Sequence, residues 1–235
     1  MIKAVLFDLD GTLLPMDTDL FLQEYLKLLS QTTAPYIEPE HFVSELMAAT
    51  FKMIANREPD KTNEAVFIHE FFSATGLDPA IMMPVFEKFY QTDFCRLAEF
   101  FNPDPLVPTI IESTMGKYKV VIATNPVFPE IAIKERLRWL GIDSFAFALI
   151  TAYENMHFCK PHVEYYLEIA EKIEVKPEEC LMVGNDVDED LVAGKIGMQT
   201  FLVDTYLINR TNRDYVTNYQ GSLKDFYTFI TAEEK

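Results

Sequence analysis

The chain has 235 residues, 49% of them hydrophobic and 13% aromatic, enough apolar material to bury a sizeable core and too much for a disordered segment. Its formal net charge of −17, with 20 Lys and Arg residues scattered rather than gathered in a stripe, repels phosphate backbones and argues against nucleic acid as the main partner. No apolar run approaches the length of a membrane span, so no membrane partner is expected.

In chain order, the first element is 2–7 (Ile-Lys-Ala-Val-Leu-Phe), a nearly continuous hydrophobic strand of the kind found in parallel sheets covered on both faces. It runs into Asp8-Leu9-Asp10-Gly11-Thr12. Parallel sheets bind ligands beyond the carboxyl ends of their strands. There Asp8 and Asp10 would offer a nucleophile and hard oxygen ligands for a divalent cation. Gly11 lets the backbone turn sharply and approach a ligand closely, and the Thr12 hydroxyl is available within the loop.

From Asp17 to about Leu97 the pattern is helical, with Val43, Met47, Thr50 and Ile54 at the spacing of one helix face. Gly76 followed by Asp78-Pro79 marks one helix end and the next helix start. Phe67, Phe71, Phe72, Phe86, Phe89 and Tyr90 are expected to be the core and packing face of a helical hairpin or small bundle, in preference to an aromatic substrate cage. Pro103, Pro105 and Pro108 then interrupt any helix and suggest a hinge or return linker. Beyond them short apolar strands, at 120–123, 147–150, 180–183 and 200–203, alternate with helices that end on Gly141 and Gly197. That alternation implies a parallel α/β sheet, to which the first strand supplies the missing member. The tail from Tyr206 onward, with a short helix near 225–230, carries no readable chemistry.

Cys95, Cys159 and Cys180 are an odd set without metal-type spacing, which suggests reduced thiols. Two acids interrupt the only apolar run near the N-terminus, unlike a secretory signal. A cytoplasmic protein is expected, and the Asn209-Arg210-Thr211 sequon reads as chance.

Three polar groups follow later strands or loops and would converge on Asp8. Thr124-Asn125-Pro126 sets a hydroxyl and an amide where a phosphate oxygen could be held. Lys160-Pro161 precedes the helix of Tyr165, Leu167 and Ile169, with Pro161 expected at its first position; His162 reads as a surface residue. Gly184-Asn185-Asp186-Val187-Asp188-Glu189-Asp190 follows another apolar strand. Asp186 and Asp190 are one helical turn apart and would face one point, with Asp188 and Glu189 projecting elsewhere.

These four ordered motifs resemble those of the haloacid dehalogenase superfamily of phosphohydrolases. The resemblance implies a Rossmann-like, doubly wound α/β core built from 1–16 and 101–235, with a helical cap domain at 17–100. It implies that Asp8 is a nucleophile forming an aspartyl-phosphate and Asp10 the general acid and base. Thr124, Asn125 and Lys160 would bind the phosphoryl group. Magnesium would be held by Asp8, Asp186 and the Asp10 carbonyl, with Asp190, Asn185 and Thr12 in support. Asn185 departs from the commoner Asp directly after the glycine.

The expected reaction is hydrolysis of a small-molecule phosphate ester, selected by a closing cap. A phosphomutase would use the same residues. A 2-haloacid dehalogenase would not need an acid at Asp10, a phosphoacceptor signalling domain would lack the large helical insertion, and a silent binding protein would not need the full set. Lys52, Arg57, His69 and Arg96 read as solvated surface; neither the substrate nor the oligomeric state is legible.

Overall fold

Four residues of β1 (Ala4–Phe7) are all buried, and the strand lies at the centre of an all-parallel sheet. Its neighbours are β2 (Lys119–Ile122) and β4 (Cys180–Gly184), with Phe7 opposite Ile122 on one side and Val183 on the other. β3 (Leu149–Ile150), β5 (Gln199–Val203) and β6 (Tyr219–Gly221) complete the order β3-β2-β1-β4-β5-β6. The computed structural model describes residues 1–232.

Alternation along each strand divides the core between two faces. Val5, Phe7, Val120 and Ile122 face α5 (Val107–Met115), α6 (Glu130–Trp139) and α8 (Leu223–Thr231). Ala4, Leu6, Val121 and Met182 face α7 (Val163–Lys172) and a 3₁₀ helix at Asp190–Ile196. A sheet covered on both sides explains why β1 has no polar position to spare.

Between β1 and β2 the chain forms α1 (Thr18–Thr33), α2 (Pro39–Ala55), α3 (Asn63–Thr75) and α4 (Pro79–Thr92), closed by a 3₁₀ helix at Phe94–Phe100. Asp78 caps α4 through its carboxylate and Gly76 ends α3 at φ +66°, as the sequence suggests, and Asp17 caps α1 in the same way. These helices meet the loops after β2 and β3: Tyr25 packs on Phe128 at 5.2 Å and Phe67 on Tyr153 at 6.4 Å between ring centroids. Backbone bonds join the layers, Asn63 N to Met156 O and Glu64 N to Tyr153 O, both at 2.8 Å.

Several local expectations change. The buried face of α2 is Phe42, Leu46, Ala49 and Met53. Val43, Met47, Thr50 and Ile54 form the half-buried stripe beside it, because a helix wedged between layers carries two adjacent apolar stripes. Phe71, Phe72 and Phe89 are core, whereas Phe67, Phe86 and Tyr90 line a cavity. The strand expected at 147–150 shortens to two edge residues. Pro161 follows a cis peptide bond and lies outside α7, which His162 precedes as N-cap; the His162 Nε2 meets the Ile54 carbonyl at 2.9 Å. The segment beginning at Asp190 is a 3₁₀ helix rather than an α-helix.

Candidate active site

The loop after β1 reverses at once: Gly11 adopts φ +82°, and Leu14 N donates to Leu9 O at 2.8 Å. A Cβ on Gly11 would lie 2.3 Å from Asn185 Nδ2, so the close approach this glycine permits is to Asn185. Gly184 is equally constrained, since a Cβ there would strike Asp190 Oδ2 at 2.1 Å. Gly11 thus lets the loop after β1 close on a side chain of the loop after β4, and Gly184 makes room for Asp190 within that second loop.

Asp8 stands at their junction. Its Oδ1 accepts from Lys160 Nζ at 2.8 Å, and its Oδ2 lies 2.9 Å from the Thr12 hydroxyl. The same hydroxyl is 3.1 Å from Asn185 Oδ1, and it has one proton to give to the two acceptors. Lys160, 1% exposed, also donates to Asp190 Oδ1 at 2.6 Å. Burial works against its charge, but Asp190 and Asp8 outweigh that and hold its pKa well above the usual lysine value. Burial also pushes both carboxyls up, against the pull of Lys160.

Asp190 shapes the next loop by accepting the backbone N–H of Asp186 at 2.9 Å through Oδ2. Asp186 accepts two N–H groups at Oδ1, from Asp188 at 2.7 Å and Glu189 at 3.0 Å, and pairs through Oδ2 with Arg210. Asp188 turns outward to Arg213 and Thr211, as expected. Glu189 does not: it lines the same pocket as Asp8 and Asp186, because the turn ahead of the 3₁₀ helix does not follow α-helical spacing. Burial, opposed by Lys160 and reinforced by the neighbouring aspartates, raises its pKa to about 7.

Thr124 is buried beside Asp8 and lines the pocket. Asn125 also lines it, yet its amide is engaged: Oδ1 accepts from the Lys160 backbone N–H at 3.2 Å and Nδ2 donates to Glu189 at 3.3 Å. That makes it a brace for the Lys160 loop rather than a free phosphate ligand. Asn185 similarly donates to the Tyr206 carbonyl at 2.7 Å.

Two cations were not read as part of the site. Arg136, fully buried on α6, pairs with Asp10 Oδ2 and sits 4.7 Å from the Phe128 ring centroid. Its signal is an arginine on the apolar stripe Ala132, Ile133, Arg136, Leu137. Arg210 comes from the tail that showed no chemistry; Ile208 binds that tail to the site by exchanging backbone bonds of 2.9 Å with Asn185 and Val187. Nothing in the local sequence marks it. Lys52, Arg57 and Arg96 form surface pairs with Glu70, Glu164 and Asp93, outside the pocket.

The pocket, about 210 Å³, thus gathers Asp8, Asp10, Asp186, Glu189 and Asp190, with Thr124 at its wall. Against five carboxyl groups stand three cations, Lys160, Arg136 and Arg210. Among the described residues, no helix is long and apolar enough to cross a membrane.

The chain is 28% identical over 225 residues to a glyceraldehyde 3-phosphate phosphatase of Methanopyrus kandleri, covering 85% of this chain and 83% of that protein. It is 27% identical over 197 residues to the pyrophosphatase PpaX of Anoxybacillus flavithermus, covering 83% and 79%. The solved HAD phosphatase of Thermococcus onnurineus superposes with a TM-score of 0.60 at 20% identity, over 100% of both chains, and so shares the fold. The family profile of haloacid dehalogenase-like hydrolases matches residues 2–196, and with the motifs resting on one parallel sheet the chain belongs to that family.

Proposed function

We propose that the protein is a magnesium-dependent phosphatase of a small-molecule phosphate monoester, acting through an aspartyl-phosphate on Asp8. The observation that carries this reading is the buried ammonium of Lys160 bridging Asp8 and Asp190 at 2.8 and 2.6 Å at the edge of an acidic pocket. Such a cation orients the carboxylate and offsets the charge of an incoming phosphoryl group. Relatives named as phosphatases support the same reaction class.

In this reading Asp8 attacks phosphorus, the bond to the leaving oxygen breaks, and Asp10 protonates that oxygen. Asp10 then takes a proton from the water that attacks the acyl phosphate, returning free Asp8 and phosphate. Asp10 Oδ2 is engaged by Arg136, which leaves Oδ1, buried and without a partner among the described residues, to serve both transfers. The Thr124 hydroxyl and Lys160 would bind the phosphoryl oxygens.

Among the described residues no three His, Cys, Asp or Glu side chains are grouped to hold a metal. Magnesium does not require such a group, since it commonly binds one or two carboxylates, waters and substrate phosphate oxygens. The excess of carboxyls over cations in the pocket fits a dication held by Asp8, Asp186 and the Asp10 carbonyl, with Arg210 leaving Asp186 on loading. Bound there, it would neutralise phosphoryl charge. Residues 1–16 and 101–235 would form the catalytic core and 17–100 a substrate-selecting cap. The three unpaired cysteines suit the cytoplasm.

The test is phosphate release from a panel of esters before and after exhaustive chelation. Release that chelation abolishes and magnesium restores is expected. Release indifferent to chelation, or halide release from a 2-haloacid without phosphatase activity, would overturn the reading.

A further inference from the structure

A second cavity, of about 110 Å³, adjoins the acidic pocket and shares Leu22, Val127 and Phe128 with it as a common wall. Its other walls come from α1 to α4 and from Tyr153 after β3, so it lies between the helical layer and the sheet. None of its lining residues carries a charge. The stripe Met47 and Thr50 of α2 faces it, and the Thr50 hydroxyl is spent on Leu46 O at 2.8 Å.

Its polar features include the hydroxyls of Tyr25 and Tyr90, 2.8 Å apart. Burial pushes Tyr25 up to about 12 and Tyr90 well above its usual value, so both stay protonated. Their mutual bond consumes one proton and leaves one O–H to donate, and the hydroxyl of Tyr153, which also lines the cavity, is a second donor.

Resting on the phosphatase reading of the acidic pocket, we propose that this cavity receives the leaving group of the ester, and that the leaving group is apolar: a short alkyl chain or a single ring, bearing at most two hydrogen-bond acceptors. Three observations lead there. The shared wall places the cavity directly beside the pocket where the scissile phosphate would sit. A leaving group with a carboxylate or second phosphate would meet no cation in it, and an unpaired charge is not tolerated in such surroundings. The volume is somewhat below the roughly 150 Å³ of an apolar cavity that takes up benzene, which limits the occupant to about one ring.

The test is a series of n-alkyl phosphates from methyl to hexyl, whose leaving alcohols have nearly the same acidity, so that rate differences report binding and not chemistry. We expect kcat/KM to rise about fourfold for each of the first added methylenes, then fall once the chain outgrows the cavity. Met47→Glu should flatten that rise. A wild-type profile that is flat, or falls from methyl onward, would overturn the proposal. Calorimetric titration of the wild-type protein with methyl- and butylphosphonate separates the two readings, because it needs no turnover. If no ester is hydrolysed the phosphatase reading fails, and butylphosphonate binding no tighter than methylphosphonate would sink the cavity assignment independently. Tighter butylphosphonate binding would uphold it.

Discussion

Two adjacent pockets share a wall and almost nothing else. In one, every carboxylate is met by a named donor: Lys160 and Thr12 hold Asp8, Arg136 holds Asp10, Lys160 and a backbone N–H hold Asp190, two backbone N–H groups and Arg210 hold Asp186, and Asn125 donates to Glu189. In the other, mostly apolar side chains from four helices and two loops meet without a charge among them. Directional bonds fix positions to fractions of an ångström, whereas apolar contacts are nearly indifferent to orientation. Chemistry needs the first property and tolerance of different ligands the second. A substitution in the acidic pocket should therefore scale the rate for all esters together, and one in the apolar cavity should reorder them.

The largest effect should separate Asp8 from Asp10. Asp8→Asn should lower turnover on the order of 10⁵-fold or more for every ester, with no covalent phosphate, because an amide is not a competent nucleophile. Asp10→Asn should cost roughly 10²- to 10⁴-fold, least for the best leaving groups, and should let phosphoenzyme accumulate. Rapid-quench mass spectrometry of both folded variants reads the difference. A phosphorylated Asp8→Asn protein, or full turnover by Asp10→Asn, would remove the contrast in roles.

Arg136→Met probes the seam between the pockets, since Arg136 pairs with Asp10 on one side and lies over Phe128 on the other. Leaving Asp10 unpaired should destabilise the fold by about 2–3 kcal/mol, below the full cost of breaking a buried pair because the Asp10 side chain keeps 23% exposure. The double variant Arg136→Met, Asp10→Asn should regain much of that loss in denaturant titrations. Additive losses would mean that the arginine acts through packing alone.

A smaller effect is expected at the pocket rim. Asp186→Ala should weaken magnesium binding more than Asp188→Ala, whose carboxylate is turned to Arg213 and Thr211, and Arg210→Ala should strengthen it by removing a competing cation. Calorimetric titration in which Asp188→Ala does more damage would move the ligand assignment. Thr12→Val should have the mildest consequence, a loss of roughly tenfold in rate shared by all esters, the worth of one hydrogen bond to a charged group. A change in ester ranking would mean that Thr12 touches the leaving group.

What the sequence revealed depended on distance along the chain. Asp8, Thr124 and Asp186 each follow a buried strand within a few residues, and strand ends converge in any parallel sheet, so their meeting was legible. Arg136 and Arg210 reach the site from a helix face and a distant tail, and only the packed structure brings them there. Glu189 was misread because an α-helical period was imposed on a tight turn. Phe67, Phe86 and Tyr90, expected as core and packing face, line the cavity instead, because apolar composition reports which residues avoid water, and a cavity wall avoids it nearly as well as a core does.

The single proton of the Thr12 hydroxyl lies between two acceptors, Asp8 Oδ2 at 2.9 Å and Asn185 Oδ1 at 3.1 Å. A carboxylate outcompetes an amide oxygen for such a proton, so it points to Asp8 while that group is ionised. Were Asp8 to carry a phosphoryl group, the negative charge would move to the phosphoryl oxygens and the remaining carboxyl oxygen would be a neutral carbonyl, so the balance would tip toward Asn185, whose Nδ2 already donates to the Tyr206 carbonyl. In the proposed mechanism the covalent state of Asp8 would thereby be written into the direction of one O–H bond and relayed, through a single amide, to the segment that carries Arg210. A spectroscopic label on the Asn185 side chain would read whether the enzyme is charged with phosphate without touching the phosphate itself.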